Sequence, residues 1–185
     1  DAPFKVSGEA KYSYDVNRPG MLFGGILQSP HAHARITRLE VAAAQVMPQV
    51  KALRVIQDAG TEIKWEMDDI VSVAASSEAA LYDALGAIEI DFEVLPHFVT
   101  EEQRDEAPKE NAGEAQTTGN PEQALAEADM VMEGYYGIAR IAHCCLESHG
   151  QVCEWQDDKH LTAWCSTQNV SGLPPQFAEA LNIPV

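Results

Sequence analysis

Residues 70–96 read IVSVAASSEAALYDALGAIEIDFEVLP, and the spacing of their apolar residues changes twice. Ile70, Val71 and Val73 begin a strand. Ser76 or Ser77 is then placed to cap a helix, with Glu78 in the first turn beside the helix's positive end. Ala80, Leu81, Ala84, Leu85 and Ile88 recur at helical spacing. After Gly86 the period becomes two, with Ile88, Ile90, Phe92 and Val94 alternating with Glu89, Asp91 and Glu93. That pattern is a strand with one buried face and one solvated acidic face. Strand, helix, strand is predicted, and with it an α/β (α+β) fold.

Upstream, residues 20–41 read as two strands broken near Ser29 and Pro30, since proline gives no ladder hydrogen bond. Gly24 and Gly25 read as a bulge. VKALRVIQ (50–57) is a further short strand. Downstream, residues 101–120 hold no aromatic and no β-branched aliphatic residue, too little apolar area to offset ordering entropy. They read as an exposed acidic connector. Asn120 and Pro121 open a short helix. Strands are expected over 130–143, 150–155 and 161–168, with DDKH (157–160) turning the last pair into a hairpin. A helix follows from Pro174 or Pro175, with Phe177, Ala178 and Leu181 on one side.

The 185 residues carry 29 acidic side chains against 12 Lys and Arg, a formal net charge of −17. Binding to nucleic acid requires clustered cations, and none cluster here. Anionic membranes are disfavoured for the same reason. No apolar run approaches the roughly 20 residues of a membrane helix, so no membrane span is expected. The opening residues have no apolar stretch of the kind a signal peptide carries. Cys144, Cys145, Cys153 and Cys165 read as free thiols, since neighbouring cysteines close only a strained disulfide. Free thiols fit a cytoplasmic location, or a periplasmic one if an export signal has been removed.

Two stretches have ligand chemistry. SPHAHARI (29–36), read as a strand, turns His31 and His33 to one face, but a metal needs a third ligand and none is near. The pair reads as packing, hydrogen-bonding or interface residues. HCCLESHGQVC (143–153) holds His143, Cys144, Cys145, Glu147, His149 and Cys153 without the spacing of a zinc knuckle or a ferredoxin. Ser166 lacks a nucleophile elbow, and no phosphate-cradling glycine loop is present. No metal ligand set and no catalytic residue is assigned from the residues alone.

Six stretches, in this order, resemble the molybdenum-binding large subunit of the xanthine dehydrogenase / aldehyde oxidoreductase family. They are KVSGEAKYSYDV (5–16), SPHAHARI (29–36), IEIDFEVLP (88–96), ADMVMEGYY (128–136), LESHGQVCEW (146–155) and STQN (166–169). The resemblance implies a hammerhead domain over 1–100, the connector over 101–120, and the start of a molybdopterin-binding domain over 121–185. It implies a molybdenum pterin dinucleotide of the cytosine form, with iron–sulfur clusters and FAD on partner subunits. The implied reaction hydroxylates an aldehyde or N-heterocycle with oxygen from water.

By the same resemblance Gln168 contacts the cofactor: a neutral amide can donate to an oxo ligand without binding the metal. The family's glycine-rich loop and catalytic glutamate would lie beyond Val185, and MDDI (67–70) stands where relatives carry a glycine turn. A fragment inactive by itself, completed by the remainder of its subunit, is therefore expected. The alternative is a non-catalytic interaction module of the same architecture.

Overall fold

Ser77 starts a helix two residues after a strand ends: its side chain accepts a hydrogen bond from the Ala80 amide at 3.2 Å, satisfying one of the helix's orphan donors. The computed structural model describes residues 2–108, 116–138, 141–142 and 144–185. In chain order the regular elements are α1 (Ala2–Ser7), β1 (Phe23–Gln28), β2 (Ala34–Glu40), α2 (Ala42–Gln45), β3 (Val50–Val55), β4 (Glu62–Ile63), β5 (Asp69–Ala75), α3 (Glu78–Gly86), β6 (Glu89–Val94), α4 (Pro121–Glu127), β7 (Gly150–Trp155), β8 (Leu161–Ser166) and α5 (Leu173–Leu181). They divide into two units, residues 20–133 and residues 1–19 with 134–185.

The unit of residues 20–133 holds two three-stranded antiparallel sheets, ordered β1-β5-β3 and β4-β2-β6. The strand–helix–strand run of 70–96 is present, but its strands β5 and β6 belong to different sheets. Helix α3 therefore crosses between sheets rather than joining parallel neighbours. Ile36, Ile63, Ile70 and Val71 are fully buried and, with Val73, Ala75, Leu81 and Ala84, form one core drawn from both sheets and α3. Burying each such aliphatic side chain is worth about 1.5–3 kcal/mol.

Gly24 and Gly25 are not a bulge. They pair in register with Ala74 and Val73, and the irregularity of β1 falls between Leu27 and Gln28. Gly25 instead lets α3 approach: a Cβ there would lie 3.0 Å from Leu81 Cδ2. A bulge does occur at Thr37, between the pairs Ile36–Phe92 and Arg38–Asp91. The extra residue resets the alternation, so that Leu39 points inward and Arg38 outward.

The acidic face of β6 is met by arginines of β2. Arg38 pairs with Glu89 at 2.6 Å and Asp91 at 3.8 Å. Arg35 reaches Glu93 at 3.6 Å and Glu62 at 3.8 Å. All these side chains are about half exposed, so each pair contributes less than about 1 kcal/mol and the apolar core decides the fold.

Met67 has φ of +69°, a left-handed conformation that costs a residue with a Cβ about 1–2 kcal/mol. Two backbone bonds hold it there: the Met67 amide donates to Ser29 O at 2.8 Å, and the Ser29 amide to Asp68 O at 2.9 Å. Helix α4 has the expected cap, with Asn120 accepting from the Gln123 amide at 3.1 Å. The strand expected over 130–143 does not form: residues 131–138 and 141–142 are irregular, and 139, 140 and 143 lie outside the described residues. No neighbouring strand pairs with the described part, and an unpaired extended segment leaves its backbone groups to water.

Two outcomes are expected in urea unfolding. Met67→Gly should raise stability by up to about 1 kcal/mol by removing the Cβ clash. Gly25→Val should lower it by about 1–3 kcal/mol, and less in a Leu81→Ala background, where the helix side chain that it meets is gone.

Candidate functional site

The second unit is built on one hairpin. Gly150–Trp155 pairs with Leu161–Ser166 in unbroken antiparallel register, Gly150 opposite Ser166 and Trp155 opposite Leu161. DDKH makes the turn, as its sequence predicts. Asp157 Oδ1 accepts from the Lys159 amide at 2.8 Å and the His160 amide at 2.9 Å. The Lys159 bond, together with the His160 side chain, holds the Asp157 carboxyl below the usual carboxylate range.

An isolated two-stranded hairpin is marginal in water. Here residues 11–18, from the far end of the chain, lie against it. A single 3-10 turn, Ser13–Asp15, brings the Ser13 amide and hydroxyl each to 3.3 Å from Glu147 Oε1, to which both donate. Arg18 Nε donates to Glu154 Oε2 at 2.9 Å. Its guanidinium lies 5.0 Å from the centroid of the Trp164 ring. Glu154 and Trp164 share a face because their neighbours pair as Glu154–Thr162 and Val152–Trp164, so one arginine spans both strands. An open cleft of about 450 Å³ lies between, lined by Tyr12, Arg18, Glu147, Trp164 and Cys165 among others.

Gln168 lies just past the end of β8. The strand stops at Ser166, two residues short of the expected Gln168, and the chain bends there. Thr167 Oγ1 accepts from the Asn169 amide at 2.9 Å. The Asn169 side chain folds against Gly172, where a Cβ would collide with it. Helix α5 starts directly afterwards, at Leu173 rather than Pro174. Thr167 and Asn169 thus fix the bend and leave the Gln168 side chain exposed. Of the predicted helix face, Ala178 is buried, Phe177 half-buried and Leu181 exposed.

The histidines are not a pair. SPHAHARI enters its strand only at Ala34, so the alternation that would align His31 with His33 does not apply. His31 packs edge-on against Phe92, with centroids 5.1 Å apart. His33 has both ring nitrogens engaged, Nδ1 by Pro96 O at 2.6 Å and Nε2 by Glu62 Oε1 at 3.1 Å. The 143–153 cluster disperses as well. Glu147 is taken by Ser13, Cys144 and Cys145 are exposed free thiols, and His143 lies outside the described residues. Burial, followed by the Cys165 thiol, pushes the Cys153 thiol up. Among the described residues no three His, Cys, Asp or Glu side chains gather as a metal site. No helix among them is long and apolar enough to cross a membrane.

Comparison with known proteins adds the family. A model of the aldehyde oxidase and xanthine dehydrogenase a/b hammerhead domain matches residues 7–66, and a model of the molybdopterin cofactor-binding domain matches residues 103–185. The chain belongs to the molybdenum-binding subunits of the xanthine dehydrogenase and aldehyde oxidoreductase family. It is 27% identical to the xanthine dehydrogenase molybdenum-binding subunit of Escherichia coli O157:H7, matching over 100% of this chain and 29% of that one. It is 28% identical to the nicotinate dehydrogenase large molybdopterin subunit of Eubacterium barkeri, over 100% of this chain and 49% of that one. It therefore spans under half the length of either relative. Quinoline 2-oxidoreductase from Pseudomonas putida 86 shares the fold, with a TM-score of 0.73 over 99% of this chain and 28% of that one, at 24% identity. The hammerhead match covers residues 7–66, so it includes the segment 11–18 that supports the hairpin.

Sequence reasoning missed Arg18, Ser13 and Glu154. Their partners lie 134–136 positions away, and no local pattern marks them. Arg18→Ala should increase hydrogen exchange across β7 and β8 and red-shift the Trp164 emission. The cost in overall stability should stay near 1 kcal/mol, since the pair is half exposed.

Proposed function

We propose that this chain forms part of a molybdenum hydroxylase and that Gln168 is its hydrogen-bond donor to the cofactor. The observation that carries the reading is the exposed Gln168 amide on a fixed bend, inside the segment that matches the cofactor-binding domain. The residues present fit such a group. A neutral amide can donate to an oxo ligand while leaving the metal's coordination to the cofactor, and the described residues gather no competing metal ligand set.

Thr167 and Asn169 hold the bend through their own hydrogen bond, so the backbone that carries the amide is fixed at that point. The hairpin carries it, and Arg18 and Ser13 steady the hairpin. When bound, the molybdenum pterin dinucleotide, in its cytosine form, supplies the oxidation of an aldehyde or N-heterocycle with oxygen taken from water. Iron–sulfur and FAD subunits serve as electron-transfer partners, and the rest of the molybdenum subunit completes the site. The domain division follows the same reading: hammerhead over 1–100, connector over 101–120, and the cofactor-binding domain from 121. By itself the chain should show no turnover with a dye acceptor.

The test is made in the assembled complex. Gln168→Ala should keep the circular dichroism spectrum and lower turnover by roughly tenfold to a hundredfold. Unchanged turnover and molybdenum content in that variant would remove Gln168 from the site. Absence of molybdenum from the purified wild-type complex would favour a non-catalytic interaction module instead.

A further inference from the structure

His33 sits just before β2, at the meeting of three elements. Its Nδ1 lies 2.6 Å from Pro96 O, in the chain leaving β6. Its Nε2 lies 3.1 Å from Glu62 Oε1, on the edge strand β4. A carbonyl and a carboxylate can only accept hydrogen bonds, and a neutral imidazole has a single N–H to give. Only the imidazolium satisfies both contacts at once. We propose that His33 is a pH-sensitive clip, fastening β4 and the exit of β6 to the start of β2 when protonated and slackening when its proton is lost.

Strand β4 is two residues long and pairs only through Ala34–Ile63 and Arg35–Glu62. Backbone bonds continue on either side: the Ile36 amide donates to Thr61 O at 3.0 Å, and the Leu95 amide to His33 O at 3.0 Å. The Gly60 amide also donates to Ile36 O at 2.7 Å, and the Ile36 and Leu95 amides report the opening of the two sides separately.

Glu62 faces the ring directly, and the charge of Lys64 opposes that of the ring. Arg35, from β2, lies 3.8 Å from Glu62 and 3.6 Å from Glu93 of β6. It is a second partner for Glu62 once the imidazole is neutral. His97, in the exit itself, is engaged with Leu95 O at 3.0 Å. The Pro96 bond, and then Glu62, raise His33 above its ordinary value of 6.5. The His33 bond, first among several causes, lowers Glu62 below its ordinary value of 4.5.

The signs follow from linkage. The His33 contribution is complete below 6.5 and is lost as pH rises through the raised value. The Glu62 contribution is complete above 4.5 and is lost as pH falls through the lowered value. The clip is therefore tightest between these limits and opens on the alkaline side at a pH above that of a free histidine.

The test uses the 185-residue chain, labelled for NMR, in a His97→Gln background that removes the neighbouring imidazole. His33 should titrate above 6.5. From about pH 5.5 to about pH 8.5, the Ile36 and Leu95 amides should lose protection at least threefold or so, after correction for intrinsic exchange. His33→Gln should make that protection independent of pH. Glu62→Gln should lower the His33 midpoint, and it decides the matter by itself if the His33 variant does not fold. A midpoint at or below the free value in the unaltered chain, an unmoved midpoint in Glu62→Gln, or an equal loss of protection in His33→Gln, would overturn the clip.

Discussion

Strand β5 has a partner along each edge, β1 on one side and β3 on the other, and it is the strand on which residues 20–133 depend. Ile70, Val71 and Ala75 within it are fully buried and Val73 nearly so. At about 1.5–3 kcal/mol for each large aliphatic side chain, these residues outweigh the whole half-exposed ladder of arginines and carboxylates on the other sheet. The consequences run outward along the chain. Ser77 can cap α3 only because β5 ends at Ala75, and α3 can settle onto β1 only because Gly25 leaves room for Leu81.

The second unit solves a different problem with different means. Neither strand of its two-stranded sheet holds a buried residue, and Ala178 of α5 is the unit's one buried apolar side chain among the described residues. Support comes from the beginning of the chain, through a serine on Glu147 and an arginine laid over Trp164 and paired with Glu154. These are polar and cation–π contacts, each modest, that order a surface rather than fill a core. The exposed Gln168 follows directly from this construction, because β8 gives way to a turn held by Thr167 and Asn169 before α5 begins.

The strong negative charge is handled locally. The carboxylates of β6 stand opposite Arg35 and Arg38, and a single extra residue at Thr37 keeps both arginines on the solvent face. His33 joins the same polar face at its margin, where Glu62 is shared between an imidazole and a guanidinium. The histidine that draws attention in the sequence as half of a metal pair is thus part of the sheet's hydrogen bonding, with no ring nitrogen to spare.

The sequence by itself determined the elements of residues 70–96, a serine cap at 76 or 77, the Asn120 cap, the DDKH turn and, through six ordered stretches, the family. Each of these depends on neighbours a few positions away, and periodicity or capping chemistry records such dependence directly. Only the tertiary structure decided that β5 and β6 lie in different sheets, that Thr37 is the bulge and Gly25 a point of close approach, and that His31 and His33 part company. It alone decided that residues 130–138 stay irregular and that Arg18 reaches Glu154, 136 positions away. The physical reason is that an apolar period states which face of an element is buried, whereas the partner that buries it is chosen by packing between segments with no sequence proximity to record it.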